Sequence, residues 1–422
     1  MSGGTVMEHL ANAPHKNEEN AIRYLTNFVK SPVKPNDEDD IKKKEESIME
    51  LGNILAKSKR TQDLRQMIKN TRPFLVSLGK AKAAKLVRNL LDLCLTIEDE
   101  DGDIKVELCK ECIEWARDQN RVFLRQTLEA RLVRLYNDLL RYQEALAMAI
   151  PLVRELKKLD DKDLIVEVQL EESKSCYNLS NLTKARAALT SARTTANSIY
   201  IPPRMQAALD MQSGILHAAD ERDFKTAFSY FYESFEGYDS VDEKPDALRA
   251  LKYMLLSKVM LDLPEEVHSL LSGKLALKYT GSDLDAMRAI ADAAKKRSLA
   301  DFNKAFGSFR KELQCDPVVK KHFNSLSDSM LEKDLCRIIE PYSQVQIEHI
   351  AHKIGLEQGK VEKKLSQMIL DKKFSGSLHQ GEGVLIVYDD VPKDKTFATA
   401  VDTIHAMGEV VDGLYHRIKK LR

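Results

Sequence analysis

Cys109-Lys110-Glu111-Cys112 places two thiols at the spacing of redox and zinc motifs, so it is the first place to look for chemistry. A structural zinc site needs a second pair of ligands, and no other pair has suitable spacing. A redox pair needs a βαβ context, and this motif lies in an amphipathic helical pattern beside Trp115. Both cysteines therefore read as packing residues, as do the isolated Cys94, Cys176, Cys315 and Cys336. His349 and His352 stand at i and i+3 without the His-Glu-x-x-His order of zinc proteases, and they are expected at the edge of a small core. Glu98-Asp99-Glu100-Asp101-Gly102-Asp103 invites calcium. Aligned on Gly102, however, the first ligand position falls on Ile97 and the bidentate position on Leu108. The run reads as an acidic turn between helices. Gly79-Lys80, Gly273-Lys274 and Gly359-Lys360 each precede an apolar residue and lack the upstream glycine of a phosphate-binding loop. No Gly-x-Ser-x-Gly elbow occurs. The residues give no catalytic set, no metal site and no cofactor site.

Binding chemistry is a separate question. Lys360, Lys363, Lys364, Lys372 and Lys373 are the case for a nucleic-acid surface, but Glu357, Glu362 and Asp371 are interleaved with them. Arginine, the main base-reading side chain, is absent from the same helix. Lys+Arg and Asp+Glu both number 65, so the 422-residue chain carries no basic excess. The mixing of both signs at helical spacing, as in Arg154-Glu155-Leu156-Lys157-Lys158, is the mark of solvated helix faces. Six cysteines in a chain of this length make no disulfide framework and read as reduced thiols. No apolar run approaches the ~20 residues that cross a bilayer. Residues 1–15 lack an apolar signal core. The expectation is a soluble protein of cytosol, nucleus or both.

The elements carry more information than the reactive residues. Only 17 Gly and 12 Pro, with helix formers throughout, predict an almost all-α chain. Residues 1–40 are poorly defined. They hold one short helix from Ala21 to Lys30 and a loop over residues 31–40 with two prolines and an acidic cluster. Residues 41–240 read as helical hairpins. Tyr142-Gln143-Glu144-Ala145, Leu182-Thr183-Lys184-Ala185 and Phe224-Lys225-Thr226-Ala227 share one pattern: a bulky residue, two polar residues, then Ala. Each is expected to start the second helix of a hairpin, with the small Ala letting its partner approach. This is the signature of an α-solenoid of tetratricopeptide-like units. Pro151 is expected to kink its helix or end it at Ile150. Residues 241–341 predict further helices, among them Asp246 to Met260, Asp283 to Lys296, Asp301 to Glu312, and one from Pro317 to about Ile339.

Residues 342–391 break the pattern. Ser343-Gln344-Val345-Gln346-Ile347 opens with a weak capping box. Ile347, Ile350 and Ile354, then Val361, Leu365, Met368 and Ile369, mark two short helices. A turn at Gln380-Gly381-Glu382-Gly383 and the run Val384-Leu385-Ile386-Val387-Tyr388 complete a β-hairpin. Two helices and a hairpin make a winged helix, with Val384 to Tyr388 as a strand edge able to pair with a neighbouring chain. Residues 392–422 form one heptad helix. Phe397, Ile404, Val411 and Ile418 recur every seven residues, with Ala400, Met407, Leu414 and Leu421 three residues after each. A single helix cannot bury such a seam, so it is expected in an intermolecular bundle; the rival reading folds it back on its own solenoid.

Helical repeats running into a winged helix resemble the PCI domain, which recurs in the proteasome lid, the COP9 signalosome and translation initiation factor 3. The stretches 80–88, 184–197, 228–233 and 365–374 are similar to the lid subunits in particular, over roughly residue 41 to the end. The resemblance implies a non-catalytic scaffold supporting ubiquitin-dependent degradation. It implies winged helices meeting edge to edge through Val384, Leu385, Ile386, Val387 and Tyr388. It implies a bundle helix using Phe397, Ile404, Met407, Val411, Leu414, Ile418 and Leu421. It also implies that the solenoid braces the lid against the ATPase ring and the core particle. Other lid subunits would be partners, with no nucleic acid, no membrane and no homo-oligomer. A PCI scaffold of the signalosome or the initiation factor, and a winged-helix nucleic-acid binder, stay open as alternatives.

Overall fold

The computed structural model describes residues 18–30, 38–97, 102–220, 223–273, 276–279, 281–314, 316–388 and 395–421. The acidic stretch 98–101, residues 31–37 of the loop expected over 31–40, Cys315 and the start of the last segment at 392–394 lie outside these residues, and residues 38–40 are helical instead of loop. The chain divides into two units, one ending at Ser257 and the other starting at Lys258.

The first unit is a succession of antiparallel helices: α1 (Glu18–Lys30), α2 (Glu38–Lys57), α3 (Thr61–Ser77), α4 (Lys80–Thr96), α5 (Gly102–Asp118), α6 (Val122–Asp138), α7 (Tyr142–Leu159), α8 (Lys162–Asn178), α9 (Leu182–Ala196), α10 (Pro203–Asp220) and α11 (Phe224–Val241). Helix α12 (Lys244–Met260) spans the boundary between units. The mostly-α solenoid expected from the sequence is the fold observed. Ala145, Ala185 and Ala227 lie in the first turns of α7, α9 and α11, and none of the three has exposed surface.

Five of the reversals after helices use one repeated device. Asn120, Leu140, Asp160, Ser180 and Asp242 are left-handed. In each case the next amide reaches back five residues, as from Arg141 N to the Tyr136 carbonyl at 2.8 Å and from Asn181 N to Cys176 at 2.9 Å. This is a Schellman closure built without glycine, which satisfies orphan carbonyls at a conformational cost. The following helix is often capped as well: Asp161 accepts from Leu164 N, Asn181 from Lys184 N and Asp223 from Thr226 N. Lys105, buried, donates to the Ile97 carbonyl and so closes the exposed end of α4 from the neighbouring helix.

Expectations at two helices change here. Of the two outcomes expected at Pro151, an end at Ile150 does not occur, because α7 runs on to Leu159. Pro151 and the residue one turn before it, Ala147, both face solvent, so water can take the carbonyl that loses its amide partner. The predicted helix from Asp301 to Glu312 is two helices, separated at Phe309, whose φ of −109° and ψ of 40° are not helical.

The second unit begins with α13 (Pro264–Leu271), α14 (Ser282–Lys296), α15 (Leu299–Ser308), α16 (Arg310–Gln314) and α17 (Pro317–Ile339). Asp316 caps α17 by accepting from Val318 N at 3.0 Å, with Pro317 at the first helical position. Then come β1 (Gln344–Gln346), α18 (Ile347–Ile354), α19 (Gln358–Leu370), β2 (Gly376–His379), β3 (Val384–Val387) and α20 (Lys395–Leu421). The expected capping box at Ser343 is instead this short strand β1, and the cap of α18 is Gln346 with no side-chain bond. Leu335, Ile338 and Ile339 of α17 share one core with Val345, Ile347, Ile350, Val361, Leu365, Met368 and Leu385 of the winged helix. Among the described residues no helix is long and apolar enough to cross a membrane.

Close packing between α10 and α11 generates a test. A Cβ placed on Gly214 would stand 2.6 Å from the buried ring of Phe231. Gly→Ala in a helix interior ordinarily stabilises by about 1 kcal/mol. Gly214→Ala should instead lower stability by about 1–3 kcal/mol through overpacking, read as a drop in the urea midpoint; a rise in that midpoint is the contrary result.

Candidate subunit-docking surfaces

Helix α20 is 27 residues long, and its apolar stripe is exposed along its described length. Ile404 is 69% exposed, Met407 65%, Val411 62%, Leu414 53% and Ile418 63%. Phe397 is 71% exposed, and the side chain of Leu421 lies outside the described residues. The structure adds two residues that the heptad reading missed. Val410 and Tyr415 are both more than half exposed and flank the seam on opposite sides, at the g and e positions. The signal was present in the residue types, but a strict two-per-heptad template passes over it. The flanks carry little charge: Val401, Thr403, Gly408, Val410 and Tyr415 occupy them, with Arg417 as the exception. Asp402, Glu409, Asp412, Lys419 and Lys420 stand on the far side. An apolar band that spreads past a and d on both sides exceeds the narrow seam of a two-stranded coiled coil.

The winged helix corrects the expected strand edge. Its sheet has the order β1-β3-β2, so Val384–Val387 is the central strand. β3 pairs on one side with β1, Val345 opposite Leu385, and on the other with β2, Leu378 opposite Leu385. Ile347 N donates to Gly383, Val387 N to Ser343 and Tyr388 N to Ser375, so both edges of β3 are occupied within the chain. Leu385 is fully buried core and offers no surface. Of the five residues expected at the edge only Tyr388 is more than half exposed, and its hydroxyl lies 2.8 Å from Ser377 Oγ. Register leaves the outward backbone groups at Gln344 and Gln346 on β1, and at Gly376 and Leu378 on β2. A period-2 pattern carries no sign of β1, because it offers one apolar residue, Val345, between two glutamines.

The lysines of α19 and of the turn after it are partly committed. Lys364 lies 2.9 Å from Glu332 of α17, Lys373 lies 3.9 Å from the same carboxylate, and Lys360 pairs with Glu357 at 3.4 Å. Leu370, at the end of that helix, is exposed. His349 and His352 face solvent instead of edging the core, with His349 edge-on to Tyr342. Among the described residues no three His, Cys, Asp or Glu side chains are grouped to hold a metal.

Cys109 and Cys112 lie inside α5, both buried. Burial pushes both thiols up, Cys112 to about 12 and Cys109 further. Burial of this kind keeps a thiol protonated and a poor nucleophile at neutral pH.

Three family models match the chain: the 26S proteasome regulatory subunit RPN6 N-terminal domain over residues 5–139, the PCI domain over 299–389, and the 26S proteasome subunit RPN6 C-terminal helix domain over 393–418. A Caenorhabditis elegans protein named probable 26S proteasome regulatory subunit rpn-6.1 is 73% identical over 421 residues, covering 100% of this chain and 96% of that protein. The 26S proteasome non-ATPase regulatory subunit 11 homolog of Arabidopsis thaliana is 47% identical, with 98% of each covered. The probable rpn6 subunit of Schizosaccharomyces pombe is 46% identical over 98% of this chain and 97% of its own. The chain belongs to the RPN6 family of 26S proteasome regulatory subunits. The RPN6 N-terminal match reaches back to residue 5, ahead of residue 41, where the sequence resemblance starts. The RPN6 C-terminal helix match takes in the stripe from Phe397 to Ile418.

The buried thiols give a direct test. Iodoacetamide at pH 8 should leave Cys109 and Cys112 unmodified in the native chain and alkylate both after denaturation, as read by peptide mass spectrometry. Rapid native labelling of either would contradict the packing role.

Proposed function

We propose that this chain is a non-catalytic scaffold of the 26S proteasome lid, joining lid, ATPase ring and core particle for ubiquitin-dependent degradation. The observation that carries the reading is the exposed stripe of α20, lying in the segment that matches the family's own C-terminal helix domain. An amphipathic helix of this length, left uncovered, is a binding element. Other lid subunits are its partners. Val410 and Tyr415 support a bundle of at least three helices over a pair, because one partner helix covers a and d and leaves both flanks wet. The winged helix is the second contact with lid neighbours. Its open backbone groups favour β2, at Gly376 and Leu378, over the central strand. The solenoid is the brace toward the ATPase ring and core particle.

Nucleic-acid binding is disfavoured by the zero net charge and by Glu332, which holds two of the lysines that would have to meet phosphate. The RPN6 matches at both ends favour the proteasome over the signalosome and the initiation factor. Likeness to proteasome subunits supports a location in cytoplasm and nucleus, beside different subunits and not in a homo-oligomer.

Burying one such apolar side chain contributes about 1.5–3 kcal/mol. Ile404→Asp with Val411→Asp should therefore leave the melting temperature of the isolated chain unchanged, since both side chains already face water. The same double variant should fail to co-purify with lid subunits from cells. Normal incorporation of a folded double variant would remove the bundle from the proposal.

A further inference from the structure

The solenoid is held together by two kinds of contact. Adjacent helices share an apolar core that runs unbroken from Leu25 of α1 to Val168 of α8. Helices two apart carry charged contacts as well, and these repeat at four successive joints. Between α3 and α5, Arg65 bonds Glu111 and lies 2.9 Å from Glu107, and Lys69 lies 3.2 Å from Glu111. Between α4 and α6, Arg131 Nε meets Asp92 Oδ1 at 3.0 Å. Between α5 and the start of α7, Arg141 bonds Asp103. Between α6 and α8, Arg131 Nη1 meets Glu167 Oε1 at 2.7 Å, and Asn137 Nδ2 meets Glu171 Oε2 at 2.8 Å.

Arg131 is the shared member. One guanidinium presents different N–H edges to a helix before it and a helix after it, so α4, α6 and α8 are clipped by one side chain. The geometry suits arginine, whose planar fork serves two carboxylates at once, and not lysine. The side chain is about one-quarter exposed, that of Glu167 about one-fifth and that of Asp92 about half. Solvent reaches the joint mainly at Asp92, so salt screens it in part. The neighbouring apolar seams respond to salt in the opposite sense or not at all.

We propose that these alternate-helix ion pairs make residues 61–178 a salt-sensitive spring, in which Arg131 sets how far α4, α6 and α8 separate. Flexing then breaks and remakes these half-buried ion pairs while the apolar seams between adjacent helices stay closed. A run of stacked helices gains compliance this way without unfolding. The inference concerns the chain's own mechanics and stands apart from the partner assignments above.

Hydrogen exchange on the full chain tests it, with the amides of α14 in the other unit as reference. Raising sodium chloride shrinks the screening length from about 10 Å at 0.1 M to about 3 Å at 1 M. In the wild type the amides of α4, α6 and α8 should then exchange roughly two- to fivefold faster, the range expected of exposed pairs. Arg131→Met keeps the aliphatic stem, and it should exchange fast at both salt concentrations and lose the salt response. Arg131→Lys, able to reach one carboxylate, should keep about half of it. A variant that is merely less stable would exchange faster but still respond to salt. If Arg131→Met does not fold, Asp92→Asn removes one arm of the clip and should halve the response. A wild type with no salt response, or an Arg131→Met chain responding as strongly as the wild type, overturns the proposal.

Discussion

A helix with one apolar stripe must have that stripe covered, and this constraint organises the whole chain. In the solenoid each helix finds its cover in the next one along, which is why buried alanines stand where the second helix of a hairpin begins. In the winged helix, α18 and α19 are covered by a three-stranded sheet and by the end of α17. Helix α20 follows the same rule but its stripe lies in water. The remainder must be supplied by other molecules, and membership of the RPN6 family says what kind of assembly supplies it.

How much of this was legible depended on the range of the interaction. Periodic signals within one helix read well: the alanine hairpins, the paired helices of the winged helix and the heptads of α20 all lie where their spacing places them. Signals that need a partner far along the chain did not. β1 is three residues long and exists because Leu385 lies opposite Val345, about forty positions later. Without it the last strand looks like an edge, and with it that strand becomes central. Pro151 failed as a helix stop for a related reason, since its cost depends on which way the missing hydrogen bond faces. The ion pairs of Arg131 join residues 36 and 39 positions apart, and no local pattern announces them.

The reactive side chains show the same dependence on surroundings. Cys109 and Cys112 have the spacing of a chemical motif, yet that spacing also puts both on one face of a helix, and here the face is the buried one. Desolvation then suppresses the thiolate that either redox or metal chemistry requires. Glu111, between them in sequence, is turned the other way and ties α5 to Arg65 and Lys69 of α3. One turn of helix thus serves core packing on one side and a joint between layers on the other.

Helix α20 carries a further cost that its surroundings here do not offset. Gly408 and Gly413 are interior to it, and a Cβ at either would meet nothing within 4 Å. Each such glycine weakens a helix by about 1 kcal/mol relative to alanine, and isolated helices are marginal in water to begin with. Sterics in the free chain give no reason for either residue. The two differ in position, however: Gly408 lies on the flank of the apolar band, between Val401 and Tyr415, and Gly413 lies on the polar side. A small residue on the flank lets a neighbouring backbone approach closely, which helix interfaces exploit, whereas Gly413 has no such account. The stripe that seeks partners and the glycine that weakens the unpartnered helix therefore act in the same direction, since both tie the stability of α20 to the bundle that covers it.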